Sequence, residues 1–409
     1  MTRLCSSTRL YFLKNLLYII FLLTFAPNSI MLLRKSKKKI MANEQKVIFT
    51  NDICSALSEL TTEIHHDRLF MLFDTETMKH CMPLLTTFMN DYDATHPASH
   101  LHTIVIEATD VAKNIESLTE VWTSLSENGA TRHSLLINVG GGMITDLGGF
   151  AAATFKRGIK FINVATSLLG AVDAAVGGKT GINLGNLKNE IGAFAPADAV
   201  LISTKFFESL DKENLLSGYA EMLKHGLLSN CQHFNDLLEF DITSLNEDGK
   251  AEENAAALLP LLETSVNVKR SVVRQDPFEQ GLRKALNLGH TFGHAFETWC
   301  MRHGQPVLHG YAVAWGLVCE LIMSNQLTGF TSETLYRVAN YVRDNYGPIN
   351  ITCDDYDELY ELMLHDKKNL GDTINFTLMK ATGNVELNHT ASKEEIGSVL
   401  DIFRDLMGI

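Results

Sequence analysis

The chain has 409 residues, which is enough for two domains with large cores, and 45% hydrophobic and 20% charged residues are ordinary for a globular protein. This composition excludes disorder, collagen and repeat arrays. The formal net charge of −13 argues against nucleic acid as the main partner, because binding phosphate backbones requires a basic surface. A small anionic substrate is compatible with this charge, since a few Lys and Arg side chains can create a positive potential inside a pocket.

The cysteine pattern indicates the redox compartment. The seven cysteines are scattered and form no CxxC motif. This pattern predicts reduced thiols in a cytosolic protein, and it disfavours a disulfide framework or a thiolate zinc site.

The first forty residues differ from the rest of the chain. An apolar run over residues 10–25 is followed by a basic run over residues 34–39. The basic run disfavours a secretory signal, and the apolar run is shorter than the roughly 20 residues that a membrane-spanning helix needs. A third interpretation is that translation begins at Met41, which we favour. A membrane partner follows only if residues 1–40 are present in the protein.

Residues 45–203 alternate short apolar runs with helical stretches. A helix is predicted over 115–125, and strands are predicted over 47–49, 68–73, 102–106, 134–139 and 159–164. Alternating strands and helices predict a parallel sheet covered by helices. Ligands of such sheets bind at the carboxyl ends of the strands.

Residues 204–409 are predicted to form a helical domain. Helices are expected over 207–228, 255–274, 284–302 and 311–327, and a strand signal returns only at 374–378. The cleft between the two domains is the expected site of function.

A glycine-rich segment, Gly140–Asp146, follows the predicted strand at 134–139. Glycines between a strand and a helix let backbone amides approach a phosphate at the helix N-terminus. The segment is not a GxGxxG motif, so a simple tight turn is an equal alternative. Asp74 follows an earlier strand and could accept a hydrogen bond from a ribose hydroxyl, or could simply cap a helix.

A second glycine-rich segment, Val172–Gly181, contains a Gly-Gly-Lys-Thr sequence. It lacks the first glycine of a P-loop, which disfavours a nucleoside triphosphatase. Lys179 within it, and Lys188 and Asn189 after it, would lie on glycine-rich loops and suit phosphate or carboxylate binding.

Histidines and one glutamate suggest a metal site. His290 and His294 are four residues apart and would share one face of a helix, but the HExxH glutamate is missing. His309 and Glu221 are further candidate ligands, since two histidines and one glutamate can form a catalytic zinc site. Spacing alone does not choose among these side chains.

Several motifs occur together and in a characteristic order. They are GGGMITDLGGFAAATFKRG, VDAAVGGKTGIN, LKNEIGAF, GYAEMLKHGL, GLRKALNLGHTFGHAFE and HGYAVAWG. From about residue 45 to its end the chain closely resembles the 3-dehydroquinate synthases of the sugar-phosphate cyclase superfamily. The resemblance implies an α/β Rossmann-like NAD-binding domain over 45–203, an all-α metal-binding domain over 204–409, and an active site in the cleft.

The resemblance also implies roles for individual residues. The metal, zinc or cobalt, would be bound by Glu221, His290 and His309. NAD would be surrounded by Asp74, Lys113, Gly141, Gly142, Asp146, Thr166, Ser167 and Leu169. Catalytic residues would be Lys179, Lys224, Lys269, Arg283, Asn287 and His294, the last facing the substrate. Substrate-binding residues would be Arg157, Asp173, Lys188, Asn189 and one of Lys367 and Lys368. Arg157 would reach the site of a neighbouring subunit, which implies a homodimer.

The implied reaction converts 3-deoxy-D-arabino-heptulosonate 7-phosphate to 3-dehydroquinate and phosphate, within the shikimate pathway. Three alternatives are a sister cyclase whose substrate lacks the carboxylate, a metal-dependent alcohol dehydrogenase of the glycerol dehydrogenase type, and a non-catalytic membrane-tethered relative. Lys269 and Arg283 could meet a carboxylate, which favours the dehydroquinate synthase. Ala165 replaces a proline that is common in the family, which predicts a looser loop near the cofactor. Ser167 replaces a threonine but keeps the hydroxyl, so a hydrogen bond to the cofactor is still expected.

Overall fold

A computed structural model describes residues 45–185, 187–247, 250–365 and 373–409. All structural statements below refer to these ranges. The predictions for residues 1–40, and those for Lys367 and Lys368, lie outside the described residues. Within these ranges no helix combines the length and the apolar character that crossing a membrane would need.

Six parallel strands form one sheet in the order β1-β8-β5-β4-β2-β3. They are β1 (Lys46–Phe49), β2 (Leu69–Asp74), β3 (His102–Ile106), β4 (Leu135–Gly140), β5 (Lys160–Ala165) and β8 (Ala199–Ile202). The five predicted strands each lie within one residue of an observed strand. Strands β2 and β4 are buried along their whole length, which explains their continuous apolar sequences.

The sheet is accompanied by helices and by an antiparallel hairpin. The helices are α1 (Ile53–Glu63), α2 (Thr75–His80), α3 (Thr86–Thr95), α4 (Ile115–Glu127) and α5 (Gly142–Thr154). The hairpin pairs β6 (Lys179–Leu184) with β7 (Leu187–Phe194). The prediction that Lys179, Lys188 and Asn189 lie on loops is therefore wrong, because all three belong to the strands of this hairpin.

The remaining chain is mainly helical. Its helices are α6 (Lys212–Ser229), α7 (Cys231–Glu239), α8 (Ala251–Gln275), α9 (His290–Arg302), α10 (His309–Thr328), α11 (Ser332–Tyr346), α12 (Tyr356–Leu364) and α13 (Lys393–Met407). A second hairpin, β9 (Asn375–Ala381) with β10 (Asn384–Thr390), contains the strand predicted at 374–378. The sheet ends at Ile202, next to the domain boundary that the sequence predicts.

One predicted helix is broken. The continuous helix expected over 284–302 consists of a short 3₁₀ segment, Leu282–Asn287, and α9. Gly289 separates them with a φ of 81°, a left-handed conformation that glycine adopts without steric cost. The break lets α9 begin at His290.

Helices α9 and α10 pack with their backbones almost in contact. A Cβ atom on Gly316 of α10 would lie 2.0 Å from the carbonyl oxygen of Gly289. A Cβ atom on Gly293 of α9 would lie 3.1 Å from the carbonyl oxygen of Ala312. The absence of these side chains allows the close approach that places the starts of both helices near each other.

We expect Gly316→Ala to destabilise the protein by about 1–3 kcal/mol, because the added methyl group would overlap a backbone carbonyl that cannot move independently. The matched control is Gly397→Ala in α13, where no atom lies within 4 Å of the new Cβ atom. Alanine there should be neutral or stabilising by roughly 0.5–1 kcal/mol, owing to its helix propensity. Urea unfolding of both variants tests this difference, and equal stabilities would contradict the packing argument.

Candidate active site

Three potential metal ligands meet where three helices converge. Glu221 lies in α6, and His290 and His309 are the first residues of α9 and α10. One ligand atom of each side chain lies within 4.8 Å of the other two. The Nε2 atoms of His290 and His309 are 3.4 and 3.7 Å from Oε1 of Glu221. Two imidazoles and one carboxylate are the donor set of catalytic zinc sites that keep one position open.

Further contacts orient the two imidazole rings. The Nδ1 atom of His290 lies 3.1 Å from the carbonyl oxygen of Leu288, which can only accept a hydrogen bond. The Nδ1 atom of His309 lies 3.1 Å from Oε2 of Glu297. Both rings can therefore donate from Nδ1 and direct the Nε2 lone pair toward Glu221. Metal-binding histidines require this orientation.

The electrostatics of the site favour a bound cation. Glu221 is fully buried and forms an ion pair with Lys224. Burial raises the pKa of Glu221, but Lys224 and His290 outweigh this effect and hold the pKa well below its usual range. Burial lowers the pKa of His309, but contacts with Glu221 and Glu297 raise it to about 10. The carboxylates thus attract positive charge, and a metal ion would displace the proton from His309.

His294 lies beside this group of ligands. Its ring centroid is 5.4 Å from that of His290 and 6.0 Å from that of His309. The three converging ligand atoms include one from His290 and none from His294. The substrate-facing role that the family resemblance implies for His294 stays a prediction.

Two buried cationic side chains approach each other across Gly177. A Cβ atom on Gly177 would lie 3.0 Å from Nη2 of Arg283 and 3.4 Å from Cε of Lys269. The Nζ atom of Lys269 lies 2.6 Å from Oδ1 of Asp173. Arg283 donates hydrogen bonds to the carbonyls of Pro277 and Gly177, at 2.7 and 3.1 Å. This pair of neighbouring cations is suited to bind a carboxylate.

Glu279 connects two other predicted catalytic residues. Lys179, the first residue of β6, forms an ion pair with Glu279. The side-chain amide of Asn287 donates a hydrogen bond to Oε1 of Glu279 at 3.0 Å. The structure therefore brings Lys179 and Asn287 together through a carboxylate that the sequence analysis did not select.

The glycine-rich turn after β4 faces the segment that follows β5. Gly141 caps the N-terminus of α5, and a Cβ atom on it would lie 2.9 Å from Oγ of Ser167. A Cβ atom on Gly142 would lie 3.1 Å from the Cβ atom of Ala174. The backbone amide of Thr166, a buried residue, donates to the carbonyl of Gly140 at 3.1 Å. The helix N-terminus thus has the small neighbours that an approaching phosphate would need.

The segment that follows β5 is also in contact with α6, the helix that carries Glu221. A Cβ atom on Gly218 in α6 would lie 2.5 Å from the backbone nitrogen of Leu169. Gly218 precedes Glu221 by less than one helical turn. The predicted NAD segment and the predicted metal ligand are therefore held at a fixed separation.

Asp74 is the N-cap of α2. Its Oδ1 accepts a hydrogen bond from the amide of Thr77 at 2.7 Å, and Thr77 Oγ1 accepts one from the amide of Asp74 at 2.9 Å. The helix-capping alternative for Asp74 is therefore confirmed, and a ribose contact stays a prediction.

Lys113 joins two residues from different parts of the predicted site. Its Nζ atom lies 2.6 Å from Oδ2 of Asp146 and 2.5 Å from Oδ1 of Asn189. Asn189 was expected on the substrate side, and here it contacts a residue expected at the cofactor. The hairpin therefore lies between the two predicted binding regions.

Arg157 is exposed at the end of a short helical segment, Phe155–Arg157, after α5. Lys156 and Arg157 both have positive φ angles, 47° and 69°. The Arg157 side chain has no hydrogen bond or ion pair with any residue that the structure describes.

Three functional candidates were missed by the sequence analysis: Glu279, Glu297 and Glu320. Glu320 accepts hydrogen bonds from the amides of Gly289 and Thr291, at 2.7 and 3.0 Å, and so caps the start of α9. Glu320 could have been recognised in the sequence as the single acidic residue within the apolar stretch Trp315–Met323. Glu297 is seven residues after His290, and this spacing places both on one helix face.

Comparisons with known proteins identify the family. Models described as the N-terminal and C-terminal parts of 3-dehydroquinate synthase match residues 103–217 and 218–369. The 3-dehydroquinate synthase of Parabacteroides distasonis is 49% identical over 367 residues, which cover 90% of this chain and 100% of the relative. The chain belongs to the 3-dehydroquinate synthase family. The Clostridium tetani 3-dehydroquinate synthase is 36% identical, over a match that covers 69% of this chain and 74% of the relative.

Solved structures support the fold. The 2-epi-5-epi-valiolone synthase from Streptomyces hygroscopicus subsp. jinggangensis, solved with NAD⁺ and Zn²⁺, has a TM-score of 0.76 at 23% identity and covers 88% of this chain and 97% of its own. A 2-deoxy-scyllo-inosose synthase solved with NAD⁺ and Co²⁺ has a TM-score of 0.72 at 21% identity, covering 88% and 96%. A probable glycerol dehydrogenase from Sinorhizobium meliloti scores 0.57 at 12% identity, covering 90% and 97%. The predicted α/β sheet domain followed by a helical domain is confirmed.

We expect Lys113→Met to destabilise the protein by about 1–3 kcal/mol near neutral pH, because Asp146 would lose its compensating charge. Burial already raises the pKa of Asp146, and Lys113 opposes this effect. An acid with a raised pKa in the folded state costs stability as pH rises from its unfolded pKa to its folded pKa. The stability deficit of Lys113→Met should therefore shrink as pH falls toward about 4, the unfolded value for Asp.

Urea unfolding at pH 5 and pH 7 measures this dependence. The double variant Lys113→Met/Asp146→Asn is the control, since it lacks the titrating carboxylate and should show no such change. A deficit of equal size at both pH values in the single variant would contradict the interpretation.

Proposed function

We propose that this protein is a 3-dehydroquinate synthase that converts 3-deoxy-D-arabino-heptulosonate 7-phosphate to 3-dehydroquinate and phosphate, with NAD and zinc or cobalt as cofactors. The reaction is a carbon–oxygen lyase step of the shikimate pathway. The observation that carries the proposal is the position of Lys269 and Arg283, side by side and buried, in a chain that also brings Glu221, His290 and His309 together. A cytosolic location agrees with the scattered cysteines.

Glu221, His290 and His309 would hold the metal, and the glycine-rich turn with Ser167 would receive the NAD pyrophosphate. When bound, the metal supplies Lewis acidity at the substrate oxygens and NAD accepts and later returns a hydride, so that no cofactor is consumed. Lys113 and Asp146 would lie at the same cofactor. These residues come from six separate segments of the chain and would line one cleft.

The cationic side chains have the chemistry that a dianionic sugar phosphate requires. Lys269 and Arg283 would bind the substrate carboxylate, while Lys179 and Lys188 on the β6–β7 hairpin would bind its phosphate. Each of these lysines forms an ion pair with an acidic side chain, so its side chain loses less conformational freedom when the substrate binds. Lys224 and His294, next to the metal ligands, would move protons at the reacting oxygens.

Incubating the purified chain with the heptulosonate phosphate, zinc and catalytic NAD should release one phosphate per product without net NADH. His290→Ala is the control, and it should lose bound zinc and phosphate release together because one of three ligands is gone. No phosphate release from zinc-loaded protein would contradict the proposal. Net NADH would indicate a dehydrogenase, and equal turnover of the sugar phosphate lacking the carboxylate would indicate a sister cyclase.

We also propose a homodimer in which Arg157 completes the partner's active site. Strand β7 pairs with β6 in the described part of the chain and is exposed along most of its length. Its apolar side chains Leu187 and Phe194 are 57% and 50% exposed. An open strand edge with exposed apolar groups is a suitable surface for a second copy. The exposed Arg157 is free to reach that copy.

Mixing two inactive variants tests this arrangement. Arg157→Ala lacks the arginine in both sites of a dimer, and His290→Ala lacks a metal ligand in both. After mixed refolding, a heterodimer would contain one intact site, so random pairing should restore about a quarter of wild-type activity. No recovery in confirmed heterodimers would show that Arg157 acts within its own subunit.

A further inference from the structure

Glu297 has two contacts with predicted site residues from different parts of the fold. It lies on α9, 11% of its side chain is exposed, and its Oε2 is 3.1 Å from Nδ1 of His309 at the start of α10. Its Oε1 is 2.8 Å from Nζ of Lys188 on β7. One carboxylate therefore bridges a potential metal ligand and the β6–β7 hairpin.

The two histidines of the metal site are oriented by different groups. The Nδ1 atom of His290 faces the Leu288 carbonyl two residues away, which is part of the local backbone. The Nδ1 atom of His309 has a carboxylate partner on another helix. The orientation of His309 thus depends on the packing of α9 against α10, and on a side chain that can be replaced.

We propose that Glu297 is a positioning residue that fixes His309 for metal binding and, through Lys188, couples metal binding to the position of the β6–β7 hairpin. Carboxylates that accept a hydrogen bond from a metal-binding histidine fix the tautomer and ring orientation, and their loss commonly weakens metal binding by about 10–100-fold. Lys188 is 44% exposed at its side chain, so without Glu297 the hairpin would lose a fixed contact to α9.

Zinc affinity of the metal-free full chain is the first readout. We expect Glu297→Gln, which keeps the size but removes the charge, to weaken zinc binding by about tenfold, and Glu297→Ala by up to about 100-fold. Glu386→Gln is the matched control, because Glu386 also contacts a histidine, with its Oε2 3.0 Å from Nε2 of His389, but on β10. Its zinc affinity should equal that of the wild type. Zinc binding by Glu297→Gln within twofold of the wild type would overturn the proposal.

Hydrogen exchange of the hairpin amides is the second readout. Zinc should slow exchange in β7 of the wild type, but not in Glu297→Gln or in Lys188→Met. Lys188→Met should keep nearly normal zinc affinity, because it leaves the contact between Glu297 and His309 intact. Retained zinc-dependent protection in Lys188→Met would overturn the coupling. The inference rests on the proposed function only because both require the metal site. Zinc binding at wild-type affinity without phosphate release would contradict the proposed function and leave this inference standing.

Discussion

The buried carboxylate of Glu221 is the group on which the rest of the site depends. A fully buried charge is costly unless it is paired, and here Lys224 and the two imidazoles of His290 and His309 surround it. These partners come from three helices, so the helices must meet at one point. The contact between Gly218 and Leu169 then fixes the segment after β5, which faces the glycine-rich turn, relative to the same helix. Packing and electrostatics thus define one geometry for both predicted cofactors.

The lysines of the candidate site are held in position for anionic ligands by the same kind of interaction, an ion pair with a carboxylate. Lys113, Lys179, Lys188 and Lys269 each contact a carboxylate in the protein. Paired charges can be buried where single charges cannot, and only 7% of the Lys113 and Lys269 side chains is exposed. Lys179 and Lys188 are 53% and 44% exposed, so for them the partner carboxylate mainly fixes the position of the charge. These pairs let a protein of net charge −13 place positive groups at the candidate site. A substrate with a carboxylate and a phosphate would share or replace those partners, and the protein would supply the attraction without a basic surface.

Much of the architecture could be predicted because its signals are local. Strands β2 and β4 are buried on both faces and read as uninterrupted apolar runs, and the carboxyl ends of the sheet follow from the parallel arrangement. The β6–β7 hairpin was missed because β7 is largely exposed and shows no alternation of buried and exposed residues. Glu279 and Glu297 were missed because their roles come from partners 100 and 109 residues away, Lys179 and Lys188, which no periodicity reveals.

The departure at Ala165 has a different consequence from the one expected from sequence. Replacing the family's common proline with Ala165 adds a backbone N–H, and this change was expected to loosen the loop near the cofactor. Ala165 instead is fully buried as the last residue of β5, opposite Gly140 on β4 and Ile202 on β8. Proline cannot donate to a sheet ladder and is disfavoured at such a central position. Alanine keeps a backbone N–H at this last position of the central strand. Ser167 then accepts a hydrogen bond from the amide of Gly170 at 3.0 Å, which orders the same segment from its other end.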